Sequence, residues 1–146
     1  MTENNVDIAV LNSVYRNAKT GSESITDLLP RATDSAFASD LETQKKEYDA
    51  IGGEAAARIV GLGGEPESVS EMQKLGMKMG VAMNTMMNDE TEHLAELMIK
   101  GSNMGIIQMT KVINGHSNAS PETLGLAQKL ITCEHDTLSR LKTYLK

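Results

Sequence analysis

Apolar residues recur three and four positions apart through most of the chain, and nowhere do they alternate over a stretch that reads as a strand. The pattern is helical throughout. From Val6 to Leu29 the residues Ile8, Leu11, Val14, Tyr15, Ala18, Ile25, Leu28 and Leu29 fall on one face of a first helix. Pro30 stops it, because proline disfavours helical geometry in the residue before it, and Thr33 or Asp34 can cap the next helix. The second helix, Asp34 to Leu62, carries Phe37, Leu41, Gln44, Tyr48, Ile51, Ala55 and Ile59 on a single stripe. Gly52 and Gly53 within it allow a kink or a close approach. Gly61, Gly63 and Gly64 end that helix, and Pro66 suits the first turn of a shorter third helix. This third helix reaches about Met87, with Met72, Leu75, Met79, Met83 and Met86 inward.

Asp89, followed three residues later by Glu92, marks a restart of the capping-box kind. The fourth helix then extends to about Asn114. Leu94, Leu97, Met98, Gly101, Met104, Gly105, Gln108 and Val112 lie on one side of it, and Ile99, Ile106 and Ile113 on the other. A helix apolar on two faces is either central or shared with another subunit, and Gly101-x-x-x-Gly105 lets a neighbouring backbone come close. A homodimer interface is expected here. Gly115 to Asn118 form the last loop, Ser120 caps, Pro121 takes the first helical position, and the fifth helix runs to Leu145. Its stripe is Ala127, Leu130, Leu138, Leu141 and Leu145, and in the middle of that stripe stands Glu134. A carboxylate at such a position is either a site or a costly group that must be well bonded.

With 146 residues and 40% apolar content the chain reads as one domain, 1–146, able to bury a single core. The net charge of -6 and the pI near 5.0 disfavour nucleic acid and anionic membrane as partners, since both attract clustered Lys and Arg. No run approaches the roughly 18 apolar residues of a membrane span, and no signal-like region opens the sequence. The single cysteine, Cys133, cannot form an internal disulfide. A cytoplasmic location is the expectation.

Four of these helices have roughly 24 to 29 residues, which at 1.5 Å per residue is bundle length. If the shorter third helix runs back along the bundle, the first two and last two helices form two antiparallel hairpins joined by a crossover. Short segments spread along the chain point the same way: Leu11-Asn12 with Gly21, Leu41-Glu42-Thr43, Leu62-Gly63-Gly64-Glu65-Pro66, Lys100-Gly101, and His135-Asp136 with Leu138 and Leu141. In these the chain resembles ferritin-like four-helix-bundle proteins, and among them small bacterial ferritin-like domains of undefined function. The resemblance implies an all-α, ferritin-like four-helix bundle with an additional crossover helix.

It also implies where a metal site should be sought. Metal-bearing bundles of this kind place one Glu on each of two helices and a Glu-x-x-His on each of the other two, because two hard cations need several oxygen donors and two imidazoles at one level. Here that level falls near Ala18, Gln44 to Glu47, Gly101 to Ser102, and Glu134. Alanine stands in the first slot, no His follows in the second, and glycine and serine fill the third. Glu90-x-x-His93 has the motif's letters but sits in the first turn of its helix, where acids also serve the helix dipole. His135 follows Glu134 directly, about 100° round the helix, so the two share no face.

The residues therefore suggest a degenerate centre: Glu134 hydrogen-bonded to Gln44, Glu47 and either Tyr15 or Tyr48, no bound cofactor, and a structural or protein-interaction role without strong redox activity. The alternative is a carboxylate metalloprotein that binds or oxidises iron or manganese through Glu47, Glu134 and His93. Nine methionines fall between Met72 and Met109, read as core filling rather than a Cu(I) row.

Overall fold

A computed structural model describes residues 3–67 and 90–145. The third helix expected up to Met87, and the expected cap at Asp89, lie outside the described residues. Within them are four helices, α1 (Glu3–Leu28), α2 (Ser35–Gly61), α3 (Thr91–Gly115) and α4 (Pro121–Lys142), with a 3-10 turn at Leu29–Arg31 after α1. No strand occurs among the described residues. No helix among them is long and apolar enough to cross a membrane.

The breaks follow local chemistry. Pro30 lies in the 3-10 turn that closes α1, and the Asp34 carboxylate accepts the Phe37 N–H at 2.8 Å to open α2. Ser120 caps α4 by accepting the Thr123 N–H at 3.2 Å, with Pro121 in the first turn. At the end of α2 the Gly64 N–H bonds to Ile59 O at 2.9 Å and the Gly63 N–H to Val60 O at 3.0 Å, while Gly63 has φ of +87°. This pair of bonds closes a helix with a left-handed residue, which glycine supplies without a β-carbon penalty. Gly63→Ala is accordingly expected to lower stability by about 1 kcal/mol, read as a shifted urea midpoint at unchanged slope. An unshifted midpoint would show that the turn tolerates a side chain.

Contacts at the two ends fix the directions. At one end, Asp7 Oδ1 on α1 accepts the Ser120 N–H at 2.8 Å. At the other, the Tyr144 hydroxyl, just past α4, donates to Asp40 at 2.5 Å, and its ring stands edge-on to Phe37. Helices α1 and α4 therefore run one way, α2 and α3 the other. The first hairpin ends where the second does not begin: α2 finishes at the Asp7 end and α3 starts at the Tyr144 end. Past α2 the chain turns back along α1, where Asn12 Oδ1 accepts the Glu67 N–H at 3.0 Å and Arg16 pairs with the Glu67 carboxylate at 2.9 Å. Helix α1 packs on all three other helices, and α4 on both α2 and α3, so these two line the centre.

The expected stripes of the first, second and last helices match the buried faces, with Leu11, Ala18, Phe37, Leu41, Ile59, Ala127 and Leu141 among the core. Helix α2 continues through Gly52 and Gly53 without a break. Four expectations need correction. The α3 N-cap is Glu90, with no side-chain capping bond. On α3 the expected Leu94 and Met98 are buried, but the row continues through Ser102 and Met109 rather than through Met104, which is 57% exposed, and Gln108, which is also exposed. Ile99, Ile106 and Ile113 are half-buried against the core and do not form an open second face. Leu145 lies beyond the end of α4 and is exposed, because the helix closes at Lys142.

Candidate functional site

The centre of the bundle is built from one carboxylate and the residues that make room for it. Gln44 and Tyr48, one turn apart on α2, are joined by a bond of 2.8 Å from Gln44 Nε2 to the Tyr48 hydroxyl oxygen. The Tyr48 ring is buried against Gly21 of α1, so close that a β-carbon there would lie 2.6 Å from ring Cε2. Opposite, Glu134 of α4 is 5% exposed, and its Oε2 lies 3.5 Å from the place a β-carbon would take on Gly105 of α3. Small residues on two helices thus accommodate a ring and a carboxylate from the other two.

The hydroxyls of Tyr48 and Ser102 face Glu134 closely enough to favour its charged form, yet neither makes a direct hydrogen bond of normal geometry to Oε2. Among the described residues four buried side-chain oxygens have no hydrogen-bond partner: Glu134 Oε2, Ser102 Oγ, Thr137 Oγ1 one turn on from Glu134, and Thr20 Oγ1 beside Gly21. Burial pushes the Glu134 carboxyl up to about 7, against the opposing pull of the two hydroxyls. Burial, and then the nearby Glu134 charge, hold the Tyr48 phenol well above its usual range. Tyr48 therefore stays a hydroxyl. Chemically, the centre can hold or release one proton near neutral pH.

The other sequence-selected residues lie elsewhere. Glu47 follows Gln44 on α2 and precedes Tyr48, about 100° round the helix from it, and so turns out of the centre. Its Oε2 accepts the Cys133 thiol at 2.9 Å, and its Oε1 is 4.0 Å from an Arg140 nitrogen. Burial and the bond to Glu47 push the Cys133 thiol up, so it is held as a neutral thiol. His93 is half-buried in the first turn of α3, twelve residues before Gly105, which is about 18 Å along the helix. Glu47, Glu134 and His93 are not brought together, and no group of three or more His, Cys, Asp or Glu among the described residues is placed to hold a metal ion. Of the partners expected for Glu134, Tyr48 faces it, Gln44 reaches it only through the Tyr48 hydroxyl, and Glu47 is engaged with Cys133. Tyr15 takes no part. Sequence reasoning put Gly105 on the inward row and Ser102 at the level of Glu134 but named neither as a neighbour of the carboxylate, and it did not foresee Gly21 under the Tyr48 ring. The available signal for the first two was their spacing of three beside Met98 and Met109, which marks one helix face.

No protein-family profile matches the chain, and no curated protein matches it in sequence. In architecture it is similar to YcfI from Rhodopseudomonas palustris, a protein provisionally described as structural, with a TM-score of 0.60 at 12% identity over 98% of this chain and 94% of that one. A likeness at that identity shows a shared fold, an all-α helical bundle.

Proposed function

We propose that the chain is a ferritin-like bundle whose carboxylate centre has become a metal-free, hydrogen-bonded core, and that it acts as a structural or interaction element rather than a catalyst. One observation carries the reading: among the described residues Glu134 is the lone acid at the centre, faced by Tyr48, Ser102 and Gly105, with Gln44 bonded to the Tyr48 hydroxyl and Gly21 under the Tyr48 ring. Two hard cations need several carboxylate oxygens and imidazoles at one level, and these residues offer a single carboxylate among hydroxyls and glycines. The order of two antiparallel hairpins joined from one end of the bundle to the other supports the ferritin-like reading. The provisional description of YcfI as structural supports the non-catalytic role. The interaction surface is the outer side of α3, where Met104 and Ile107 are 57% and 55% exposed, and a second copy of the chain is the first partner to test.

Elemental analysis of protein purified without chelator tests the centre. The expected result is no stoichiometric iron, manganese or zinc. About one or two equivalents of metal per chain, lost in Glu134→Ala, would establish the carboxylate metalloprotein instead. Sedimentation of a Met104→Lys, Ile107→Lys variant tests the surface: loss of self-association is expected, and an unchanged oligomeric state would remove α3 as the interface.

A further inference from the structure

We infer that the outermost line of α3 is a docking seam for an acidic amphipathic helix of a partner protein; this rests on reading that side of α3 as the interaction surface. Lys100, Met104, Ile107 and Lys111 are all exposed and stand four, three and four residues apart. At 100° per residue they fall within about 60° of one another, on the side opposite the buried Met98, Ser102 and Met109. This is the spacing of a short a/d seam, with an apolar pair in the middle and a lysine at each end. Charge sets the stretch apart. From Leu97 to Pro121 the sequence holds two lysines and no acid, in a chain whose net charge is -6. The exposed Glu96, one turn before Lys100, stands at the margin of the line. Among the described residues neither Lys100 nor Lys111 forms a salt bridge, whereas Arg16, Lys45, Arg58 and Arg140 each have a carboxylate within 4.0 Å.

The spacing reads the same from either end, so a helix laid along this seam, parallel or antiparallel, meets the lysines at the same two levels. A second copy of α3 sets lysine against lysine at both: Lys100 against Lys111 in the antiparallel register, each against itself in the parallel one. Burial of Met104 and Ile107 favours that contact and the charges oppose it. Self-association is the weaker use of the seam. A helix with the pattern acid-x-x-x-apolar-x-x-apolar-x-x-x-acid covers the same apolar pair and gives each lysine a carboxylate, while the lysine stems extend the apolar contact. Such a helix needs about 12 residues, roughly 18 Å of length.

The chain itself supplies the probe. Lys100→Glu, Lys111→Glu gives α3 the acidic pattern at two exposed positions and leaves the apolar pair in place. Labelled parent titrated with this variant is expected to associate roughly tenfold more tightly than parent with parent or variant with variant. That advantage should fade as salt is raised to about 1 M. Met104→Ser, Ile107→Ser in the parent should abolish binding of the variant. Should the charge-reversed variant not fold, a synthetic helix with the same acid and apolar pattern takes its place in the titration. Parent self-association as tight as the mixed pair, and lost in the serine variant, overturns the acidic partner and leaves the face to a second copy. Binding of the parent to phosphatidylserine vesicles without preference for the charge-reversed variant overturns it in favour of a membrane surface. Association untouched by the serine substitutions, or none in any mixture, overturns the reading of outer α3 as an interaction surface as well, so the two failures are told apart.

Discussion

Glu134→Gln is expected to stabilise the protein at pH 8 by roughly 3 kcal/mol and to leave it nearly unchanged at pH 4. Burial raises the carboxyl to about 7 in the folded protein from an ordinary value of 4.5. Between those two values the unfolded chain has released its proton while the folded chain still holds it. The folded state then binds more protons than the unfolded state, so stability falls as pH rises through this window and levels off above pH 7. Below pH 4.5 both states are protonated and the group costs little. Glutamine removes the ionisation and retains hydrogen-bonding capacity toward Tyr48 and Ser102, so the gain appears only where the parent must bury a charge. For a chain of this size, that gain corresponds to about 6 to 12 °C in melting temperature. Urea titrations of both proteins at pH 4, 6 and 8 measure it. A glutamine variant less stable than the parent at pH 8 would mean that the carboxylate has stronger partners than the hydroxyls facing it.

Gly21→Ala should destabilise the fold by about 2 kcal/mol, even though alanine is the better helix former by about 1 kcal/mol. The new β-carbon would lie 2.6, 2.7 and 2.9 Å from three atoms of the Tyr48 ring. That ring is 3% exposed, and its hydroxyl is tied to Gln44 at 2.8 Å, so it has little freedom to move away. The clash is with the ring and not the hydroxyl. In a Tyr48→Ala background the same Gly21→Ala change should therefore become favourable by about 1 kcal/mol, a coupling that a double-mutant cycle isolates. A single variant as stable as the parent would place the ring away from Gly21.

Much of the fold is legible in the sequence because its signals are local. Pro30, Gly63 and Pro121 act through their own backbone, and Asp34 and Ser120 through a side chain that reaches an N–H three residues on, and the helix limits follow them. The faces of α1, α2 and α4 are legible because their large apolar residues recur along the buried stripe, even though Asp7, Asn12, Ser13, Ser22 and Ser24 on α1 and Thr123, Glu134 and Thr137 on α4 are buried too. Helix α3 matches at Leu94, Met98 and Gly105 but misleads at Met104 and Gln108, for a physical reason. Its buried row includes Ser102, and Gly105 lies on that row against the carboxylate of Glu134, whereas Met104 beside it stays in solvent. Reading apolar letters selects the wrong face where the core itself is polar.

The candidate site divides along the same line. Glu134 stands out in a single helix because it interrupts an apolar stripe. Its surroundings do not, since they depend on the level at which four helices meet and on rotations of about 100° that separate Tyr48 from Glu47. Glu47 and Tyr48 are adjacent in sequence, yet one binds Cys133 at the α2–α4 seam and the other faces the central carboxylate. Gly21 likewise acquires its meaning only from a ring on another helix.

Isotope-edited NMR titration of the Glu134 side-chain carboxyl, assigned by its loss in Glu134→Gln and recorded on protein purified without chelator, examines the centre directly. The expected result is one proton uptake with a midpoint near 7 and no change on adding chelator. A midpoint at or below the ordinary glutamate value, or a carboxyl that begins to titrate only after metal is stripped, would contradict a metal-free buried carboxylate.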